Sequence, residues 1–142
     1  MGKSAYIQLV EHSVQKTLSL EDVKKELHRY IQMAEGTGKQ LGWEYAKAAF
    51  PYTMETKTTH GSPWILLKGK KTEGYKYLCI GVNTGSITKE NSFPHIQVTI
   101  PDGATHGDHA KANEFCRHLA KAFQAKLYLF NRRIMYFYPR KI

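Results

Sequence analysis

Two stretches of this chain carry apolar residues at helical spacing, and the residues between them alternate instead. Leu20, Val23, Leu27, Tyr30, Ile31 and Ala34 form one stripe; Ala112, Phe115, Cys116, Leu119, Ala120 and Phe123 form the other. Each set falls on a single helix face that needs a core to cover it. Between and around them the pattern has the period of a strand. Tyr52 to Thr58 alternates and is rich in threonine, Trp64 to Leu67 is an apolar strand, Tyr75 to Val82 reads as a further strand, and Ile96, Val98 and Ile100 share one side of His95 to Ile100. Ala5 to Val10 adds a strand before the first helix, and Lys126 to Phe130 with Arg133 to Tyr138 adds a hairpin after the second. Helices that flank runs of antiparallel strands pack on one side of the sheet. The expected fold is α+β: an antiparallel sheet of about five to seven strands, with two main helices on one face.

Local signals place the breaks. Ser19, with Asp22 three residues on, reads as a capping box, and Leu18 with Val23 as its hydrophobic staple. Glu21 and Lys25 stand four apart on the exposed side, and Gly36 reads as the helix end. Leu41 to Phe50 fits a short helix closed by Pro51. Thr59 to Pro63 and Pro101 to Ala104 read as turns, and the second helix is expected from about Asp108 to Gln124. Asn131-Arg132 reads as a tight turn, with Asn131 taking the positive φ. A length of 142 residues predicts one domain over 1–142.

No apolar run approaches the ~20 residues of a membrane span, and residues 1–13 hold no apolar stretch of the signal-peptide kind. The expectation is a cytoplasmic protein with no membrane association. Two cysteines, Cys79 and Cys116, make neither a disulfide framework nor a zinc site and are expected to be buried thiols.

The charge is lopsided. Residues 1–35 hold five basic and five acidic groups, which cancel. From Lys111 onward eight Lys and Arg stand against Glu114 alone, which supplies most of the net +9. Lys68, Lys70 and Lys71 form a second basic segment. If the fold brings the two together, they make one basic face for an acidic partner, either a protein or a nucleic acid. The candidate binding residues are Lys68, Lys70, Lys71, Arg132, Arg133, Tyr136 and Arg140. Rings interleave these charges at Tyr128, Phe130, Tyr136, Phe137 and Tyr138, and stacking rings beside arginines on a sheet can hold single-stranded nucleic acid. Packing alone also favours rings in strands. An aromatic edge strand offers an alternative use, as a homo-oligomer interface.

Thr105-His106-Gly107-Asp108-His109 is the densest polar cluster. His106, Asp108 and His109 could ligate a metal, with a further ligand from His95, Asp102 or Glu114, or the helix start could hold an anion. The spacing matches no zinc signature, and Thr105 or Asp108 serves equally well as a helix cap. No nucleophile elbow or metalloprotease motif occurs, so no catalytic residues and no cofactor are assigned.

The run PDGATHGDHAKANEFCRHLAKAFQAKLYLFNRRIMYFYPR, Pro101 to Arg140, resembles a family of small uncharacterised proteins from spore-forming Gram-positive bacteria. LGWEYAKAAFP, Leu41 to Pro51, resembles it too. The resemblance implies a compact cytoplasmic α+β domain and carries no catalytic or binding residues.

Overall fold

The computed structural model describes residues 3–11, 13–15, 17–41, 50–69, 74–83 and 94–137. In chain order the elements are β1 (Lys3–Gln8), α1 (Leu20–Leu41), β2 (Tyr52–Thr59), β3 (Ser62–Gly69), β4 (Tyr77–Asn83), β5 (His95–Ile100), α2 (His106–Phe123), β6 (Lys126–Tyr128) and β7 (Ile134–Tyr136). The seven strands form one sheet in the order β2-β3-β4-β5-β1-β6-β7, and every neighbouring pair is antiparallel. The fold is α+β. β2 to β5 form a meander, and β1 lies between β5 and β6.

Alternation decides what each strand buries. Ile7, Ile65, Leu67, Leu78, Ile80, Ile96, Val98 and Leu127 point to one side and are fully buried. Val23 and Leu27 of α1 and Phe115 and Leu119 of α2 close over them. Each large side chain removed from water here contributes about 1.5–3 kcal/mol. Tyr30, Phe50, Tyr52 and Phe115 form a ring cluster between the helices and the sheet, with centroids 5.2–6.3 Å apart.

The Ser19 cap forms as expected: Asp22 N donates to Ser19 Oγ at 3.2 Å, and Ser19 N donates to the Asp22 carboxylate at 2.9 Å. Burial pushes the Asp22 carboxyl up, but the hydrogen bonds from Ser19 and Gln15 outweigh it and leave the group below the usual carboxylate range.

Several boundaries differ from the sequence reading. α1 runs through Gly36 and Gly38 to Leu41. A glycine costs a helix about 1 kcal/mol, which is not enough to stop a ladder already under way. Glu21 pairs with Lys24 at 3.3 Å rather than with Lys25. The turn before β3 shrinks to His60-Gly61, both at positive φ, and Pro63 falls inside the strand. Proline is tolerated there because the β3–β4 ladder begins only at Ile65. In the last turn Arg132 takes the left-handed conformation, at φ 70°, while Asn131 Oδ1 accepts from Arg133 N at 3.0 Å. The helix expected over 41–50 lies largely outside the described residues.

Candidate functional site

The polar cluster at the start of α2 is a brace. Thr105 caps the helix: Asp108 N donates to Thr105 Oγ1 at 3.0 Å, and Thr105 N donates back to Asp108 Oδ2 at 3.0 Å. Asp108 is fully buried and also receives Lys76 N, at 3.1 and 3.2 Å from its two oxygens, and the Tyr52 hydroxyl at 2.5 Å. Thr105 Oγ1 donates to Gly74 O at 2.6 Å. Gly107 sits in this cluster because the helix meets the β3–β4 connection there. A Cβ on it would stand 2.9 Å from Tyr75 Cε1 and 3.0 Å from Gly74 O. One carboxylate thus ties together β2, the β3–β4 connection and α2.

That arrangement leaves Asp108 no free lone pair aimed at a cation. His106 is exposed and His109 half-buried. His95 lies at the opposite end of β5 from the turn that leads into α2, and Glu114 pairs with Lys111 at 2.9 Å. Among the described residues no three His, Cys, Asp or Glu side chains are placed to hold a metal. His118, two residues beyond the buried Cys116, packs against α1. Its Nε2 lies 3.1 Å from Glu26 O, and its ring meets Tyr30 edge-on at 5.3 Å.

Both helices cover one side of the sheet, and the opposite side carries the alternate residues of every strand. Register sets Trp64 beside Gly81, Gly81 beside Gln97, Gln97 beside Tyr6, Tyr6 beside Tyr128, and Tyr128 beside Ile134. This line crosses the sheet from β3 to β7. Ser4, Gln97 and Thr99 are joined by hydrogen bonds of 3.0–3.4 Å at its middle. Because Gly81 has no side chain, a trough of about 370 Å³ opens over it, bordered by Thr59, Trp64, Cys79, Gln97 and Thr99. At the β6–β7 end Lys126 Nζ lies 5.1 Å from the Tyr128 ring centre and 5.6 Å from that of Tyr136. The far end of this face is closed, with His95 only 5% and Gln8 1% exposed.

The anticipated residues that the structure describes fall on or beside this face. Lys68 is exposed on β3, in register with Tyr77. Tyr136 is 42% exposed on β7, while Met135 and Phe137 turn to the core. Arg132 and Arg133 are exposed in the β6–β7 turn. Lys68 and that turn share one end of the sheet, but β4, β5 and β1 intervene between β3 and β6. At the usual strand spacing that is about 19 Å, so Lys68 and the Arg132–Arg133 turn flank the face rather than merge. Lys70, Lys71 and Arg140 lie outside the described residues. Tyr6, Trp64 and Gln97 were not singled out by sequence. Alternation could have found them, because once Ile7, Ile65 and Val98 point inward their neighbours must point outward.

Neither thiol is set up as a nucleophile. Burial pushes Cys116 up to about 12 and raises Cys79 as well.

The model of a family described as a domain of unknown function, DUF1885, matches residues 3–139. The chain belongs to the DUF1885 family. A crystal structure of a protein of unknown function from Bacillus stearothermophilus is similar to this DUF1885 chain. It is 41% identical, with a TM-score of 0.57 over 90% of this chain and 95% of that one. That source is a spore-forming Gram-positive bacterium, in line with the resemblance read from the sequence. No curated protein matches the chain. Among the described residues no helix is long and apolar enough to cross a membrane.

Proposed function

We propose that this protein is a binding module that holds an acidic partner on the helix-free face of its sheet. Single-stranded nucleic acid is the partner whose chemistry fits that face best. The observation that carries the reading is Lys126, placed over both Tyr128 and Tyr136, with Tyr6 beside Tyr128 in register. Ring faces stack bases regardless of sequence, and a lysine beside them meets the phosphate. Gln97, Ser4 and Thr99 offer polar contacts between the rings. The net charge of +9, with Arg132 and Arg133 exposed at the rim, adds the long-range attraction.

Fluorescence anisotropy with a labelled oligothymidine, a DNA duplex and a polyglutamate peptide tests this. Binding to the single strand is expected, falling as salt rises. Tyr128→Ala should weaken it about tenfold, since stacking contributes about 1–3 kcal/mol per base. Lys126→Glu and the pair Arg132→Glu/Arg133→Glu should weaken it further at low salt. Equal binding of polyglutamate, indifferent to Tyr128→Ala, would move the reading to an acidic protein. No binding of any polyanion would end it.

A further inference from the structure

We propose that β2 is an assembly edge that takes β2 of a second copy of this chain, antiparallel, with Thr56 on the two-fold axis. This goes beyond the proposed function and does not depend on it.

β2 ends the sheet on one side and has eight residues, whereas β7, at the other edge, has three. Among the described residues, the one element against which β2 packs substantially is β3. Thr53 and the run Thr56 to Thr59 are exposed. Proteins usually blunt such an edge with a proline, a bulge or an inward-pointing charge. β2 contains no proline, and its ladder runs unbroken from Tyr52↔Gly69 to Thr59↔Ser62. Tyr52, Met54, Thr56 and Thr58, which share the core side, carry no charge.

The hairpin fixes which backbone groups are free. A two-residue turn at His60-Gly61 makes Thr59 and Ser62 a hydrogen-bonded pair. Bonded and non-bonded pairs alternate from there. Thr58, Thr56 and Met54 therefore turn their N–H and C=O groups away from β3. A strand added alongside must set outward residues against outward residues, which leaves few two-fold registers. Centred on Glu55, the pairing sets Glu55 against the partner's Glu55. Centred on Lys57, it sets lysine against lysine. Centred on Thr56, it sets Glu55 against the partner's Lys57, twice by symmetry. Thr56 then bonds its own copy, and Met54 faces the partner's Thr58 on both sides. Glu55 and Lys57 have side chains 43% and 48% exposed and reach each other along the strand at 3.8 Å, so both stand at the surface where that exchange happens. Cross-strand partners come within about 5 Å, close enough for opposite charges to attract and like charges to repel. The two sheets then join into one, with both helix-free faces on the same side.

Sedimentation equilibrium over a wide concentration range, with circular dichroism to confirm folding, tests the proposal. The wild type should show a reversible monomer–dimer equilibrium. Lys57→Glu alone and Glu55→Lys alone should each raise the dissociation constant about tenfold, because each sets two like-charged pairs across the axis. The double exchange Glu55→Lys/Lys57→Glu should restore the wild-type value. Thr56→Pro should leave a folded monomer, since the N–H it removes points away from β3. A protein that stays monomeric at every concentration overturns the proposal. So does a dimer indifferent to these substitutions.

Discussion

The Tyr52 hydroxyl donates to the Asp108 carboxylate across 2.5 Å, joining an edge strand to the first turn of a helix 56 positions downstream. Asp108 takes three further donations, from Thr105 N and, to both oxygens, from Lys76 N. Tyr52→Phe removes one donor and should cost about 1.5–3 kcal/mol in urea unfolding. Asp108→Ala orphans Lys76 N and strips the cap together, and should cost roughly 3 kcal/mol or more. If Asp108→Ala proves as stable as wild type, the brace has been misread.

The same bond makes stability fall in alkali. Burial, then the hydrogen bond and charge of Asp108, hold the Tyr52 phenol protonated far above its ordinary 10.0. The unfolded chain loses that proton near pH 10, while the folded chain keeps it. Stability is therefore complete below that pH and declines as pH rises beyond it. Urea midpoints measured from neutral pH into alkali should drop above pH ~10. They should drop less steeply in Tyr52→Phe.

Two helical glycines should respond in opposite directions to alanine. A Cβ at Gly36 meets nothing within 4 Å. Gly36→Ala should therefore stabilise by about 0.5–1 kcal/mol through helix propensity and a less flexible unfolded chain. Gly107→Ala drives a methyl against Tyr75 and the Gly74 carbonyl, and should destabilise by about 1–3 kcal/mol. Thermal melts of the two variants check both signs.

The two thiols should differ in reactivity. Cys116 is fully buried with its thiol pushed up to about 12, so it should react with a chromogenic disulfide reagent only on unfolding. Cys79 borders the trough on the helix-free face and should react slowly in the native protein. Cys79→Ser should abolish the native-state reaction.

Periodicity made much of this fold legible. Val23 and Leu27, or Phe115 and Leu119, can share a face only in a helix, and the alternation of Ile96, Val98 and Ile100 can bury one side only in a strand. Cap chemistry at Ser19 and Thr105 is equally local, so it too could be read. What could not be read is long-range. Nothing near Asp108 in sequence announces that Tyr52 and Lys76 will reach it, so the cluster was open to a metal reading. Lys68 and Arg132 carry the same charge, but only strand order reveals that three strands separate β3 from β6. The stop assigned to Gly36 failed because one glycine costs too little to end a helix that is already propagating.

β1 leaves the ribosome before either of the strands that will flank it; Ser4 and the Thr99 it meets are 95 positions apart. The meander from β2 to β5 can assemble while β1 waits, with Ile7 and Leu9 wet. Closure then happens in the middle of the sheet, after long loops have been drawn in, which is slow and exposes apolar side chains and unpaired strand edges to other nascent chains. Newly made protein should therefore lean on chaperones more than its size alone would demand.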